Sequence, residues 1–129
     1  MNAAHDQDLL PHAHTKPRIL VVEDEMLLVM LLEDTLSDAG FEMVFAARVD
    51  LAIAMATVEP LDGALLDVNV SGVPAFPVAD VLRKRGIPFA FLTGYGRSGV
   101  RADLADAPVI GKPFDPSDIA RCLTGFGTR

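Results

Sequence analysis

The sequence predicts an α/β fold, namely a doubly wound, five-stranded parallel sheet with helices on both faces. Three observations predict it. Short, continuously apolar segments alternate with segments in which apolar residues recur every three or four positions. Continuous hydrophobicity is typical of parallel strands, because both faces of such a strand are covered. Polar residues stand just after four of the five apolar segments, and parallel α/β sheets bind their ligands beyond the carboxyl ends of the strands.

The predicted strands are the five apolar segments, at residues 19–22, 43–45, 64–66, 89–92 and 109–110. The segment at 43–45 is the weakest of them. Parallel strands need a long crossover between them, which is usually a helix and is almost always right-handed. Each segment between two strands is therefore expected to cross a face of the sheet.

The first crossover has a pronounced apolar pattern that stops at Gly40, a typical helix end. Its leucines recur at three-to-four spacing, at Leu27, Leu28, Leu31, Leu32 and Leu36. We expect these leucines to pack in the core rather than to form a dimer zipper, because a four-turn stripe that faces a sheet needs no partner.

Three other segments are predicted helices. Apolar residues at 49, 53, 55 and 56 predict a second helix that ends before Pro60, and a third helix is expected from about residue 77 to residue 85, before Gly86. The last helix begins after Asp115, which is the expected N-cap, with Pro116 at the first helical position.

The crossover after Thr93 is the exception. Gly94, Gly96 and Gly99 interrupt it, and residues 101–105 offer barely two helical turns. Glycine inside a helix costs about 1 kcal/mol relative to alanine. The fourth helix is therefore expected to be short or irregular.

Length and charge limit the classes of protein. The chain has 129 residues, enough for one domain with its own core, and we assign residues 18–129 to that domain. Residues 1–17 are polar and aperiodic, which predicts a disordered tail. The net charge of −7 argues against nucleic-acid binding, which relies on basic residues. Without a long apolar run or a signal-peptide pattern, the chain is expected to be cytoplasmic and to have no membrane partner.

Four predicted strand ends bring polar side chains to one edge of the sheet. They are Glu23, Asp24 and Glu25 after the first strand, Asp67 after the third, Thr93 after the fourth and Lys112 after the fifth. Clustered carboxylates repel one another unless a cation lies among them. Mg²⁺ accepts one or two carboxylates, keeps several waters and takes phosphate oxygens as further ligands. A carboxylate in that setting can attack phosphorus, while an ammonium and a hydroxyl stabilise the transferring group.

Four motifs in this order resemble the receiver domain of bacterial two-component response regulators. They are ILVVEDE at 19–25, LLDVN at 65–69, LTG at 92–94 and GKPF at 111–114, and the resemblance spans residues 18–124. It implies a flavodoxin-like sheet with strand order 2-1-3-4-5. It also implies a signalling module that catalyses only its own phosphorylation and slow dephosphorylation, and that signals through protein–protein contacts.

The roles of the family carry over to the matching positions. Asp67 is implied as the phosphoacceptor in a Mg²⁺-dependent transfer from a histidine kinase or a histidine phosphotransfer protein. Asp24 is implied as a direct Mg²⁺ ligand together with Asp67. Glu23 is implied as a ligand through water, and Asn69 as a ligand through its backbone carbonyl.

Thr93 and Lys112 are implied as contacts to the phosphoryl group, and the Lys112–Pro113 peptide is implied to be cis. Receivers generally carry an aromatic switch residue three positions before this lysine, where the present chain has Val109. The stretch PFAFLTGYG at 88–96 resembles a subgroup of stand-alone receivers with a Phe-x-Thr-Gly-Tyr motif, which is associated with histidine kinases of the HWE and related types. Tyr95 is therefore the candidate switch residue.

Simpler interpretations stay open for single residues. Asp24 is also placed to be the N-cap of the first helix, and Thr93 to form a turn at a strand end. Independently of these, Lys112 is open to interpretation as a solvated lysine, and Tyr95 as an exposed loop aromatic.

Two other functions are also possible. One is a pseudo-receiver that binds partners without phosphorylation. The other is a phosphohydrolase of the haloacid dehalogenase type, which needs an acid two residues after its nucleophile to protonate the leaving group. That position is Asn69 here, and an amide cannot protonate a leaving group.

Overall fold

A computed structural model describes residues 16–127, so that all but the last two residues of the tail predicted at 1–17 lie outside the described range. In chain order the elements are β1 (Arg18–Val22), α1 (Met26–Asp38), β2 (Glu42–Ala46), α2 (Val49–Val58), β3 (Gly63–Asp67), β4 (Asn69–Val70), β5 (Val73–Pro74), α3 (Phe76–Lys84), β6 (Phe89–Thr93), two 3₁₀ turns (Gly96–Gly99 and Ala102–Leu104), β7 (Val109–Gly111) and α4 (Pro116–Gly127). None of the helices within 16–127 is long and apolar enough to cross a membrane.

Five strands form one parallel sheet in the order β2-β1-β3-β6-β7. This is the predicted order 2-1-3-4-5, because the short strands β4 and β5 pair with each other and not with the sheet. In the register, Val22 lies beside Leu66 of β3, and Asp67 lies beside Leu92 of β6. The carboxyl ends of β1, β3 and β6 are therefore level with one another.

The strands are continuously apolar because alternate side chains enter two different cores. Leu20, Leu66 and Phe91 pack in the core beneath α2 and α3, whereas Val21 and Leu65 pack in the core beneath α1 and α4. All five side chains are fully buried. Burying a side chain of this size contributes about 1.5–3 kcal/mol, so that each strand is stabilised from both sides.

The prediction for the leucines of α1 is wrong for two of them. Leu32 and Leu36 are buried as expected, whereas Leu27 is 77% exposed and Leu31 is 37% exposed. At 3.6 residues per turn, residues two positions apart point in nearly opposite directions. Val29 is buried, and Leu27 and Leu31 each stand two positions from it, so they project away from the sheet.

The predicted ends of the other helices are confirmed. α2 ends before Pro60, and α3 stops before Gly86, which has the positive φ of +71° that favours glycine. At the start of α4, Asp115 Oδ1 accepts hydrogen bonds from the backbone N–H groups of Ser117 and Asp118, at 3.0 and 3.2 Å. Asp115 is therefore the N-cap.

The segment between β6 and β7, residues 94–108, contains two 3₁₀ turns and no α-helix, as the glycines predict. Leu104 anchors it in the core and is 2% exposed. Two arginines hold the rest. Arg97 Nη1 donates to the carbonyl of Ala105 at 2.7 Å, and the Arg101 guanidinium donates to the carboxylate of Asp80 on α3.

The hairpin of β4 and β5 is a feature that the apolar pattern did not predict. Its two-residue turn, Ser71 and Gly72, has positive φ at both positions, +52° and +82°. Two consecutive positive φ angles are typical of the type I′ turns that join tightly paired antiparallel strands. The side chain of Val70 is 1% exposed, so the hairpin is fixed to the core on one side.

Candidate functional site

Three carboxylates meet at the carboxyl edge of the sheet. Glu23 and Asp24 follow β1, and Asp67 is the last residue of β3. One carboxylate oxygen of each lies within 4.8 Å of the others. Glu23 is fully buried, Asp67 is 9% exposed and Asp24 faces the surface. The parallel register of β1 and β3 produces this cluster from residues that are more than 40 positions apart.

Lys112, the residue directly after β7, contacts the same cluster. Its Nζ lies 3.0 Å from Glu23 Oε2 and 3.2 Å from Asp67 Oδ2, and its side chain is 21% exposed. The backbone N–H of Lys112 donates to the carbonyl of Thr93 at 2.9 Å, and the following Lys112–Pro113 peptide is cis, as the resemblance implied. The interpretation of Lys112 as a solvated lysine is therefore wrong.

Burial changes the charge state of the cluster. The pKa of Glu23 is raised to about 7, chiefly by burial and also by hydrogen bonding to the Asp67 carboxyl, while Lys112 acts in the opposite direction. Burial by itself lowers the pKa of Lys112, but the hydrogen bond and charge of Glu23 and the charge of Asp67 leave that pKa above its usual value. Near neutral pH, Glu23 therefore holds a proton for part of the time, because a single ammonium does not fully compensate two neighbouring carboxylates.

Asp24 is held by a residue that the sequence analysis missed. Its Oδ2 accepts two hydrogen bonds from Ser71, from the backbone N–H at 3.0 Å and from the hydroxyl at 2.9 Å. Slight burial raises the pKa of Asp24, but the Ser71 hydroxyl and other hydrogen bonds lower it below its usual value overall. The N-cap residue of α1 is Glu25, so the interpretation of Asp24 as that cap is wrong. The Ser-Gly dipeptide between two valines indicates a turn in the sequence. Nothing in the sequence indicates that the serine of this turn contacts Asp24.

The other predicted site residues stand at or near the ends of β3, β6 and β7. The backbone N–H of Asn69 donates to Asp67 Oδ1 at 3.4 Å, which places Asn69 directly beside it. Thr93 is 3% exposed, and its Oγ1 accepts a hydrogen bond from the Tyr95 N–H at 3.0 Å, which is the turn geometry that the simpler interpretation described. Tyr95 itself is 82% exposed. Val109 is half-buried and pairs with Phe91 at the edge of the sheet.

The chemistry of the donor set fits a hard divalent cation. Glu23, Asp24 and Asp67 offer only oxygen ligands, and Mg²⁺ and Ca²⁺ prefer such ligands. Their close approach also concentrates negative charge that a cation would neutralise. The cluster could therefore hold a metal ion.

Comparisons with solved structures find the same fold in proteins of similar size. SdrG from Sphingomonas melonis Fr1 is 37% identical to the chain; the match covers 88% of this chain and 98% of SdrG, with a TM-score of 0.76. The receiver domain of a sensor histidine kinase from Pseudomonas aeruginosa, solved with a magnesium ion coordinated in its active-site cleft, is 21% identical; that match covers 89% of this chain and all of the domain, with a TM-score of 0.78.

Comparison with curated sequences finds longer proteins. A probable transcriptional regulator, ycf27 of Cyanophora paradoxa, is 33% identical over 108 residues, which are 81% of this chain and 45% of the regulator. The chain thus spans less than half the length of that relative. No model of a protein family matches the chain.

Proposed function

The chain belongs to the receiver-domain family of two-component response regulators, and on that premise we propose that Asp67 is its phosphoacceptor in a Mg²⁺-dependent reaction. The observation that carries the proposal is that Asp67 belongs to the carboxylate cluster and also pairs with Lys112, whose Nζ lies 3.2 Å from Asp67 Oδ2. A carboxylate at a strand end, with a cation site on one side and an ammonium on the other, is arranged to accept a phosphoryl group.

In the proposed transfer, the phosphoryl group comes from a phosphohistidine of the donor. A carboxylate oxygen of Asp67 attacks the phosphorus, and an O–P bond forms as the P–N bond breaks. The electron pair of that bond stays on the imidazole nitrogen of the donor, which takes up a proton. Lys112 and the Thr93 hydroxyl then stabilise the equatorial oxygens of the group, and Lys112 is already within reach of Asp67.

The residues proposed to hold Mg²⁺ are Asp24 and Asp67 directly, Asn69 through its backbone carbonyl and Glu23 through a water molecule. When bound, the ion supplies positive charge that makes the approach of a phosphate dianion to the carboxylates favourable. Asp24 is suited to a direct role because it is exposed and its pKa is lowered. Glu23 is fully buried and its pKa is raised to about 7, which suits an indirect role.

The donor needs a docking surface beside Asp67, and the exposed apolar residues at the start of α1 offer one. Met26, Leu27 and Met30 are 55%, 77% and 58% exposed. The helix begins two residues after Asp24, so this surface adjoins the carboxylate cluster. We propose that a histidine kinase or a histidine phosphotransfer protein, of the HWE or a related type, docks there. Apolar surface of this kind at the rim of a site is typical of a protein–protein contact.

We propose that residues 18–129 work as a receiver domain in the cytoplasm. Its output would be a changed surface that a partner protein recognises, without nucleic acid or membrane binding. An acidic net charge of −7 supports a protein partner over a nucleic acid.

The experiment that tests the proposal is phosphorylation with a small acyl-phosphate donor in the presence of Mg²⁺, followed by intact-mass spectrometry. The parent should gain the mass of one phosphoryl group, and Asp67→Asn should gain none. Asp38→Asn, a substitution on the exposed end of α1, is the matched control and should label like the parent. Labelling of Asp67→Asn at the parent level would place the acceptor elsewhere. An unlabelled parent that also receives no phosphate from any histidine kinase would favour the pseudo-receiver.

A further inference from the structure

The turn of the β4–β5 hairpin contains a residue in an unusual backbone conformation. Ser71 has φ +52°, in the left-handed region where glycine, asparagine and aspartate are favoured. The next residue, Gly72, meets the same requirement without strain. A residue that is held in such a conformation persists only where its surroundings favour it, and such residues occur often at functional sites.

The contacts of Ser71 indicate what favours it. Its backbone N–H and its hydroxyl both donate to a single oxygen, Asp24 Oδ2, at 3.0 and 2.9 Å. The two residues are 47 positions apart in the sequence. The left-handed turn therefore directs two donors of one serine at a carboxylate of the proposed metal site.

The hairpin that carries Ser71 also carries Asn69. Asn69 pairs with Pro74 in the ladder, and its N–H donates to Asp67 Oδ1. Val70 is 1% exposed and fixes the hairpin to the core. Ser71 thus connects the loop that contains Asp24 to the strand that contains Asn69.

We infer that Ser71 is a positioning residue of the metal site, which holds the Asp24 carboxylate at a set distance from the hairpin backbone at Asn69. The inference rests on the proposed function, in which Asp24 and Asn69 are both Mg²⁺ ligands. An exposed aspartate has several side-chain rotamers, and binding an ion would have to select one of them. The two hydrogen bonds from Ser71 hold one of these rotamers before the ion binds. Loss of a hydrogen-bond partner of a metal ligand typically lowers metal affinity by about 10- to 100-fold.

Because Mg²⁺ requires near-ideal octahedral geometry and Ca²⁺ tolerates irregular coordination, a loss of positioning should weaken Mg²⁺ binding more than Ca²⁺ binding. Calorimetric titration of each ion into the metal-free full chain measures both affinities. Ser71→Ala should weaken Mg²⁺ binding by about tenfold and Ca²⁺ binding by less. Ser71→Gly keeps the backbone N–H donor and adopts the positive φ of the turn without strain, so its loss of Mg²⁺ affinity should be smaller than that of Ser71→Ala.

Ser117→Ala is the matched control, because Ser117 also donates from its N–H and its hydroxyl to one aspartate oxygen, Asp115 Oδ1, at the start of α4. It should leave both affinities at the parent level. Parent-like Mg²⁺ affinity in Ser71→Ala would overturn the inference and leave the proposed metal site standing. Tighter Mg²⁺ binding in that variant would also overturn it, since Ser71 would then compete with the ion. A parent that binds no Mg²⁺ would overturn the proposed site and the inference together.

Discussion

Two regions at the carboxyl edge of the sheet are built in opposite ways. The carboxylate cluster lies at the ends of β1 and β3, where the strand register and two cores hold the backbone. The segment at 94–108 leaves the same edge from β6, contains two 3₁₀ turns and exposes Tyr95. The first region has its geometry set by buried elements, whereas the second depends on a few side-chain contacts. A receiver needs both, because the chemistry requires fixed groups and a changed surface requires a part that moves.

The energies of the contacts agree with this difference. The ion pairs of Arg101 with Asp80 and Asp103 join side chains that are between 38% and 67% exposed, and solvent screens pairs of that kind so that they contribute little to stability. The fully buried strand side chains contribute about 1.5–3 kcal/mol each. Local opening should therefore begin in the segment at 94–108 and not in the cluster.

The largest effect is expected in the rigid region, from Asp24→Asn. Mg²⁺ at 100 times its dissociation constant stabilises a folded protein by about 2.7 kcal/mol, which raises the melting temperature by several degrees. The variant lacks the charge of the proposed ligand and should show only a small part of that rise, measured by thermal unfolding with and without Mg²⁺. Equal Mg²⁺-induced shifts in the parent and in Asp24→Asn would show that Asp24 is not a ligand.

The next effect concerns the coupling of the two regions. A phosphoryl mimic such as beryllofluoride, bound with Mg²⁺, should order residues 93–106 and relocate the ring of Tyr95. Amide hydrogen exchange should slow by roughly tenfold in that stretch, because weakly packed segments have the smallest opening free energies in the apo protein. Unchanged protection at 93–106, together with changes elsewhere, would leave Tyr95 as an exposed loop aromatic.

Glu23→Gln tests the electrostatic strain of the cluster in metal-free protein. The folded-state pKa of Glu23 is about 7 and its ordinary value is 4.5, so the stability that its protonated form contributes is complete below pH 4.5 and is lost as the pH rises through 7. The variant should be more stable than the parent at pH 8 by about 0.5–2 kcal/mol, and the difference should disappear near pH 4.5. Urea unfolding at the two pH values, with a chelator present, measures it.

The control for that experiment is Glu33→Gln, which removes one exposed carboxylate from α1 without touching the cluster. It should follow the pH dependence of the parent. A Glu23→Gln protein that is less stable than the parent at pH 8 would mean that the pairing of Glu23 with Lys112 outweighs the cost of burial.

The smallest effect on global stability is expected from Arg101→Ala. Loss of the pairs with Asp80 and Asp103 should leave the midpoint of urea unfolding almost unchanged, because the side chains are exposed and solvent screens their charges. Exchange should nevertheless become faster at residues 96–106 alone. Arg121→Ala, which removes a pair with Asp118 on α4, is the matched control and should leave exchange in that segment unchanged. Unchanged or slower exchange in the variant would show that Arg101 does not hold the segment in place.

Local patterns predicted the elements that lie in one stretch of sequence. The five apolar segments correspond to the five sheet strands, because a strand between two cores must be apolar throughout. Asp115 was recognisable as an N-cap, and the three glycines after Thr93 as a break, because both effects act within a few residues. The outward direction of Leu27 and Leu31 was not recognisable, because residues 26–32 are all apolar. The pattern therefore does not distinguish the buried face of α1 from the exposed one.

The amino-acid sequence was enough to predict the five strands of the sheet, their parallel arrangement and the kinds of side chain that reach its carboxyl edge. The contacts of Lys112 with both Glu23 and Asp67, and that of Ser71 with Asp24, became visible only in the folded protein. The physical reason is distance along the chain. Hydrophobic period and capping are properties of neighbouring residues, whereas contacts between residues 47 or 89 positions apart depend on the register of strands and the path of a hairpin, which form only when the whole sheet is assembled.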